Sequence, residues 1–537
     1  QVQAAFKLKE VPASIPIVNV TEDTFFPVGA SISVLGSLTI SGRSQDTGGS
    51  FCADMPMKYD EEVPKIGVRS SSVESQRLCR IYGEGVSSQL TTNEQHEPLF
   101  LIDPQSLGPL TIVLEYLEIS GAFAATGSVL TFTSSAKSLP DVTYLRIVNC
   151  NIHDNHAEKK AASGSQDGIH GGGVMFHPST LNVDIHDRYN VMLKLSCDAS
   201  YAVMCRINLR DSRCFVYAYS ILCHNSAYRG GVFSVGEDNW GSDCLDPGGV
   251  RNRKELNVSF SGDSMVCYNS GGESGGVLFS SCDCNVYLLD NATLYANNVN
   301  EQGYGGALST VNGITISMND RSFVGNNEAH HGGFVDGVSV SLHAYDYAQL
   351  SSNSATRGGV ISGRKSAALS LNDFASVREN YASESGGVIV SIMPILFASD
   401  ASTIYRNKAV YGGVLATVDL ESDEMASDRG EATIRLADSV SMSENSASQG
   451  GCISAGLVCE FSASEYVVIS KNTASGSGGV VNTQHGATVL TATDTVQFYN
   501  NSAGADGGVV FAGTGIMVSP DIFLCCKVMH YTTLFYA

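Results

Sequence analysis

The segment VRENYASESGGV (377–388) holds the pattern that decides the fold. It reads as an apolar residue, two variable positions, asparagine, one variable position, alanine, and then Gly-Gly before another apolar residue. The pattern returns in IYRNKAVYGGV (404–414), MSENSASQGGC (442–452) and ISKNTASGSGGV (469–480). An internal repeat of this regularity predicts that one structural unit is stacked many times along the molecule.

Eleven asparagines mark the copies of this repeat. Asn353, Asn380 and Asn407 are each 27 residues apart, and an apolar side chain stands three positions before every copy's asparagine. The repeat asparagines are interpreted as Asn155, Asn225, Asn269, Asn298, Asn327, Asn353, Asn380, Asn407, Asn445, Asn472 and Asn501. Asparagines in register on neighbouring turns are expected to form a ladder in which each amide bonds its neighbour and its own turn.

Between the Gly-Gly pairs, apolar and polar residues alternate, as in ITISMND (314–320) and VSVSLHA (338–344). Such alternation, rich in Val, Ile, Leu and Thr, predicts strands with one buried face. Two or three short strands in a period near 27 residues suit a chain that coils back over its own start. The sequence therefore predicts an all-β parallel β-helix, a single-stranded solenoid whose ends are capped, with turns about 4.8 Å apart.

The repeat resembles that of chlamydial-type polymorphic outer-membrane proteins, which carry an FxxN…GGA(I/V) pattern, over roughly residues 140–512. Here Val mostly replaces Ala after Gly-Gly, and Phe is one of several residues three positions before the asparagine. The wider architecture is similar to the pectin-lyase-like superfamily. This resemblance implies that the solenoid is right-handed.

The predicted organisation has three parts: an N-terminal cap with degenerate turns (1–100), the β-helix (101–512), and a C-terminal cap or the start of a following segment (513–537). Insertions into the β-helix are predicted at 156–171, 176–215, 236–256 and 419–431 because the repeat pattern is interrupted there. Side loops vary at little cost to a solenoid, so the insertions at 176–215 and 236–256 are the predicted partner contacts.

The net charge of −22, from 54 acidic against 32 basic residues, argues against nucleic acid and anionic membrane surfaces as partners.

The start at Gln1 is interpreted as a mature terminus from which a signal peptide has been removed. The sequence contains no apolar run of about 18 residues, the length that would predict a membrane span. Sequons at Asn19, Asn257, Asn291 and Asn500 are candidate glycosylation sites.

Fifteen cysteines in a chain with few metal-type spacings suggest an oxidising compartment. Cys223 and Cys267 both stand two residues before a repeat asparagine, so on adjacent turns they could form a disulfide. Cys452 and Cys459 could close a short loop. For either pair, an unbridged buried thiol is the alternative.

A column of acidic residues runs seven positions before the repeat asparagines: Asp320, Asp346, Asp373, Asp400, Asp438, Glu465 and Asp494. Each carboxylate could bond its own backbone two residues on, as in an Asx turn. Alternatively, repulsion between neighbours about 5 Å apart could be relieved by bound Ca²⁺ or another cation, and no other cofactor is expected.

Few residues suggest catalysis. Asp167 and His170 in SQDGIHGGG (165–173) resemble elements of polygalacturonase-like enzymes, which the superfamily resemblance makes relevant, but they sit in an insertion. His330 and His331 are expected to be solvated in a turn, with a metal role as the alternative.

We therefore predict a non-enzymatic extracellular or cell-surface protein, a structural or adhesive rod that meets other surface or matrix proteins, or further copies of itself. The alternative is a carbohydrate-active or carbohydrate-binding protein that acts on acidic polysaccharide. Paired acids with a basic residue on the central turns would favour catalysis, and aromatic stripes at the spacing of the turns would favour carbohydrate binding.

Overall fold

A computed structural model describes residues 17–19, 24–26, 31–34, 37–41, 79–83, 98–102, 110–124, 128–132, 143–148, 150–157, 175–177, 182–186, 216–217, 221–235, 255–417, 430–493, 495–518, 529–531 and 534–536. These residues form an all-β solenoid of about 10 turns built from parallel strands, without helices in the described part. The prediction of a parallel β-helix is confirmed. Most of each predicted insertion lies outside the described residues, and the predicted domain boundaries stay predictions.

Three sheets run along the solenoid. The first sheet contains the strands Ile17–Asn19, Ile32–Val34, Leu38–Ser41, Phe100–Ile102, Leu110–Glu115, Leu130–Phe132, Thr143–Val148, Met175–His177, Asn182–His186, Val216–Tyr217, Phe233–Val235, Glu255–Ser261, Leu278–Ser280, Asp283–Leu288, Leu308–Thr310, Gly313–Met318, Val335–Ala344, Ile361–Leu371, Ile389–Ala398, Leu415–Thr417, Glu431–Leu436, Ile453–Ala455, Val458–Ala463, Val481–Thr483, Ala487–Ala492, Val510–Ala512, Gly515–Val518, Met529–Tyr531 and Leu534–Tyr536.

The second and third sheets use shorter strands. The second contains Thr24–Phe26, Cys79–Gly83, Leu117–Ser120, Asn151–His153, Ile221–Cys223, Met265–Cys267, Thr293–Tyr295, Phe323–Gly325, Gln349–Ser351, Ser376–Arg378, Thr403–Tyr405, Ser441–Ser443, Val468–Ser470 and Gln497–Tyr499. The third contains Phe123–Ala124, His156–Ala157, Ser226–Arg229, Ser270–Ser274, Asn298–Val299, Glu328–His331, Ser354–Arg357 and Tyr381–Ser385, and it continues through Ser446–Ala447, Thr473–Ala474 and Ser502–Ala503.

One turn shows how the repeat folds. Ser376–Arg378 lies in the second sheet, Tyr381–Ser385 in the third, and Ile389–Ala398 in the first. Val377, Ala382 and Val388, the apolar positions of the repeat, are fully buried inside the coil. Because every turn places the same positions inside, one apolar core runs along the solenoid.

The Gly-Gly pair is required for two different reasons. Gly386 has a φ of +64°, and a Cβ there would lie 2.1 Å from the Ile389 carbonyl oxygen. A Cβ on Gly387 would lie 2.1 Å from the carbonyl oxygen of Gly413 on the next turn. The first glycine therefore permits the left-handed turn, and the second permits the close approach of neighbouring turns.

Candidate functional site

The buried asparagine ladder lies where the second sheet turns into the third. The Asn380 Nδ2 donates to the Oδ1 of Asn407 at 3.0 Å and to the Leu350 carbonyl oxygen at 3.1 Å. The backbone N–H of Asn380 also donates to the same Asn407 Oδ1, at 3.0 Å. Each side chain thus ties three consecutive turns together, and its donors and acceptor are all satisfied without water.

This bonding repeats along the described solenoid with side-chain N···O distances of 2.9–3.1 Å. Its members are Asn155, Asn225, Asn269, Asn297, Asn327, Asn353, Asn380, Asn407, Asn445, Asn472 and Asn501. The structure thus brings together ten of the eleven asparagines that the sequence singled out.

The assignment of Asn298 to the ladder was wrong by one residue. Asn297 is fully buried and donates to the Asn327 Oδ1 at 3.0 Å, whereas Asn298 is exposed. The apolar residue three positions earlier decides between the two adjacent asparagines. Leu294 is fully buried and fills the core position, while Tyr295 is only half-buried.

A second column, of carboxylates, lies at the turn between the first and second sheets. The backbone N–H of Asp346 donates to the Asp373 Oδ2 at 3.2 Å, and that of Asp373 donates to the Asp400 Oδ2 at 3.2 Å. The same bond joins Asp320 to Asp346 and Asp400 to Asp438. Each carboxylate therefore caps the backbone of the preceding turn.

This arrangement differs from the Asx turn considered above, in which the carboxylate bonds its own backbone two residues on. These residues adopt left-handed backbone angles, with φ of 54° at Asp346 and 63° at Glu465, a conformation that Asp tolerates better than most residues. Asp290 continues the column before Asp320, one residue before Asn291. Asp494 lies outside the described residues.

Within the described segments, no group of three or more His, Cys, Asp or Glu residues is placed to hold a metal ion. Five of the column residues, Asp320, Asp346, Asp373, Asp400 and Glu465, are exposed. Carboxylate oxygens suit Ca²⁺, but the column offers its acids one per turn and not as a cage. Cation binding by this column stays a prediction.

The cysteines behave in two ways. Cys223 and Cys267 pair on adjacent turns of the second sheet and form a disulfide. The suggested bridge between Cys452 and Cys459 is not formed, because both are buried free thiols. Cys452 takes the core position that Val414 and Val480 fill in neighbouring copies. Burial raises the pKa of both thiols, so they act as small apolar core residues.

The four sequons fall into two environments. Asn257 is 6% exposed, and its Oδ1 accepts a hydrogen bond from the Asn285 Nδ2 at 3.0 Å. It is therefore not an accessible glycosylation site in the folded chain, contrary to the expectation. Asn19, Asn291 and Asn500 are exposed.

The candidate residues Asp167 and His170 lie outside the described residues. His330 and His331 end a third-sheet strand, and their ring centroids are 4.5 Å apart. His331 is partly buried, and its Nδ1 is buried without a hydrogen-bond partner in the described part of the chain. The interpretation of His331 as a solvated turn residue was wrong.

A charged cluster lies beside these histidines, and the sequence did not predict it. The Arg364 Nη2 lies 3.1 Å from the Oδ2 of Asp336, a fully buried carboxylate whose Oδ1 accepts from the Ser362 hydroxyl at 2.9 Å. The Arg364 guanidinium also lies 5.4 Å from the centre of the Tyr304 ring, which stacks on His331 at 5.2 Å. The cluster brings one acid, one arginine, one imidazole and one phenol together on the central turns.

The electrostatics of this cluster follow from burial. Burial raises the pKa of the Asp336 carboxyl, although Arg364 and the Ser362 hydroxyl act in the opposite direction. Burial, aided by the neighbouring His330, Arg357 and Arg364, lowers the pKa of His331 to about 3. His331 is therefore neutral at physiological pH, whereas the Arg364 guanidinium is what favours the charged form of the buried Asp336 carboxyl.

The sequence carried only a weak signal for this cluster. Asp336 occupies a position where Ser309 and Ser362 stand on the neighbouring turns, so a single acid replaces a small polar residue. Arg364 lies beside a register shift in its strand, between Gly363 and Ser366. An irregularity of this kind cannot be located from the repeat pattern.

In the part of the chain that the structure describes, no helix has the length and apolar character needed to cross a lipid bilayer. No known protein family, curated protein or solved structure matches this chain.

Proposed function

We propose that this protein is a non-catalytic, extracellular or cell-surface β-helix that serves as a rigid rod in a surface or filamentous assembly. The observation that carries the proposal is the unbroken hydrogen-bonded ladder from Asn155 to Asn501. Because the turns from Asn155 to Asn501 are fixed to one another by buried amides as well as by paired strands, this part of the solenoid resists bending and local opening.

Two further features support a place outside the cell. The Cys223–Cys267 disulfide is typical of oxidising compartments, and Asn19, Asn291 and Asn500 are accessible sequons. The resemblance of the repeats to polymorphic outer-membrane proteins adds support for a surface role. Its proposed partners are other surface or matrix proteins, or further copies of the chain.

The experiment that tests this proposal combines location and shape. Intact cells of the source organism are treated with a membrane-impermeant biotin reagent, and the native protein is then recovered and imaged by electron microscopy. We expect biotinylated rods, alone or in filaments, in which Cys223 and Cys267 resist alkylation until a reductant is added. Protein that escapes biotin on intact cells, or that carries both cysteines as thiols, would contradict the proposal.

The second candidate is action on acidic polysaccharide, favoured by the Arg364 cluster. The cluster supplies the basic residue that such chemistry needs and one acid, the buried Asp336, but not a second acid beside them. Polygalacturonate and alginate are incubated with the wild-type chain and with Arg364→Gln. Turnover that is lost in the variant would favour this candidate, and absence of turnover would leave the rod as the better interpretation.

A further inference from the structure

A row of alternating charges lies where the second sheet turns into the third. On four successive turns, the residue directly before the ladder asparagine is charged and has a left-handed φ of 56–57°. These residues, which we call the charge row, are Glu379, Arg406, Glu444 and Lys471. Their side chains are between 38% and 58% exposed. Because the backbone is the same on each turn, the four charges follow one edge of the solenoid at steps of about 4.8 Å.

Neighbouring members of the charge row pair with one another. The Arg406 Nε donates to the Glu444 Oε2 at 2.8 Å, and the Lys471 Nζ lies 3.8 Å from the Glu444 Oε1. The Arg406 Nη1 lies 3.8 Å from the Glu379 Oε1. Exposed ion pairs of this kind contribute little to the stability of a single chain. Their order along the edge has a second consequence.

The order of charges is self-complementary. It runs acid, base, acid, base in one direction along the axis and base, acid, base, acid in the other. A second copy turned by 180° therefore sets Lys471 of each chain against Glu379 of the other. It sets Arg406 of each chain against Glu444 of the other, so four pairs of opposite charge form about one two-fold axis. A parallel copy in register would oppose four pairs of like charge, and a shift by one turn would leave three opposite pairs.

The edge around the charge row lacks the acidic excess of the whole chain. The row itself sums to zero charge, whereas the chain carries −22. On the same turns, the flanking columns are Arg378, Tyr405, Ser443 and Ser470 in the second sheet and Tyr381, Lys408, Ser446 and Thr473 in the third. These columns hold two bases and no acid. Because charges more than about 8 Å apart are largely screened at physiological ionic strength, this local balance decides whether two copies can approach here.

The edge is also firmly held. Two residues separate Arg378, at the end of a second-sheet strand, from Tyr381, at the start of a third-sheet strand. The second of them, Asn380, is fully buried and hydrogen-bonds to the next ladder asparagine. The steps at 444–445 and 471–472 are equally short. Because no loop begins on these turns and the ladder fixes each of them, the charges are in place before a second copy arrives.

We propose that the charge row joins two copies of the chain side by side and antiparallel, with the two-fold axis between Arg406 and Glu444. This inference rests on the proposed assembly role and names its partner as a second copy. Exposed ion pairs are individually weak, so we expect a Kd on the order of 100 µM. Such a contact forms where an assembly already holds copies close together.

The test measures the mass of the full chain by sedimentation equilibrium between about 10 and 400 µM. We expect a monomer–dimer equilibrium in 0.15 M salt and a Kd roughly fivefold higher or more in 1 M salt. Arg406→Glu and Glu444→Arg should each raise the Kd roughly tenfold or more, because each sets two pairs of like charge against one another. An equimolar mixture of the two variants should dimerise at least as tightly as the wild type, because all four opposed pairs are then of opposite charge.

The matched controls are Arg435→Glu and Glu460→Arg, which reverse exposed charges on the first sheet. They change the net charge equally and should leave the Kd within about twofold of the wild type. The row variants are expected to fold, as far-ultraviolet circular dichroism would show, because each introduces a residue type that neighbouring turns already carry at the same φ.

Carbodiimide coupling, which joins a carboxylate directly to an amine, reads the orientation of the two copies. Within one chain Glu379 and Lys471 are three turns apart, about 14 Å, too far to be joined directly. We therefore expect a Glu379–Lys471 link in the covalent dimer. The proposal is overturned if the wild type stays monomeric, if the mixed variants are as monomeric as each alone, if the controls weaken the dimer equally, or if this link is missing. A monomeric chain would leave surface exposure and rod shape, tested above by biotin labelling and imaging, as they stand.

Discussion

The asparagine ladder and the carboxylate column solve the same problem in opposite environments. Both place one polar side chain per turn, and in both that side chain accepts a backbone N–H from the preceding turn. Asn380 is fully buried, and its amide passes a further hydrogen bond to Asn407. Asp373 is exposed and can only accept. The interior column must use a residue that donates and accepts, whereas water can satisfy the exterior one.

The largest expected effect separates two adjacent asparagines. Asn297→Ala removes the acceptor of the Asn269 backbone N–H and of one Nδ2 N–H, while the other Nδ2 N–H still donates to the Leu222 carbonyl oxygen. Each stranded N–H costs about 1–3 kcal/mol. We therefore expect the free energy of unfolding, measured in urea, to fall by roughly 2–6 kcal/mol. Asn298→Ala is the control and should change it by less than about 0.5 kcal/mol. Equal losses of stability for the two substitutions would show that burial does not set the contribution of these amides.

An intermediate effect is expected where a titratable group is buried. Because the pKa of His331 is lowered to about 3, the unfolded chain binds a proton near pH 6.5 that the folded chain does not. The stability that neutral His331 contributes is therefore complete above about pH 6.5 and is lost as the pH falls towards 3. His331→Gln should make this loss smaller by roughly 1–3 kcal/mol in unfolding experiments between pH 7 and pH 4.

The control for this pH dependence is His485→Gln, which removes an exposed imidazole. It should keep the acid-dependent loss of stability seen in the wild type. A His331→Gln variant with an unaltered pH profile would show that burial at this position does not exclude the proton.

A smaller effect is expected at the exposed column. Asp373→Ala removes the carboxylate that accepts the Asp346 N–H, and water can take its place as acceptor. It also puts alanine, which adopts left-handed backbone angles less readily than Asp, at a φ of 58°. We expect a loss of about 0.5–1.5 kcal/mol in urea unfolding. Asp373→Asn keeps both an acceptor and a tolerance for this backbone angle, so it should be close to neutral. A loss of unfolding free energy for Asp373→Ala as large as that for Asn297→Ala would contradict the expected difference between the exposed and the buried column.

The smallest effect tests whether cations bind the column. If Ca²⁺ relieves repulsion along it, excess chelator should lower the thermal midpoint by about 1–3 °C, and added Ca²⁺ should restore it. The variant Asp373→Asn/Asp400→Asn should respond less than the wild type. A midpoint that is unchanged in chelator would remove the cation hypothesis and leave backbone capping as the role of the column.

The sequence predicted those features that repeat, because a repeated position has the same environment on every turn. The coil, the ladder and the Cys223–Cys267 pairing follow from spacing alone. Where two asparagines are adjacent, at 297 and 298, spacing could not choose between them, and only the fit of Leu294 into the core decides.

Features that occur once were not predictable in this way. Asp336 and Arg364 meet because a side chain reaches back from one turn to another beside a shifted strand, which leaves no periodic trace. Tyr347 and Phe374 stack because they share a column position that is otherwise filled by unrelated residues. Cys452 and Cys459 are close in sequence, but each fills an apolar position of its own in the core.

The direction of the ladder bonds gives the solenoid a polarity. Each ladder amide from Asn155 to Asn472 donates to the Oδ1 of the next higher-numbered asparagine, and the Oδ1 of Asn155 accepts from the Ala122 N–H. The amide dipoles therefore add along the axis instead of cancelling. Copies that extend one another as a continuous solenoid must join head to tail, so a fibre built in this way would have two unlike ends and could grow at different rates from each.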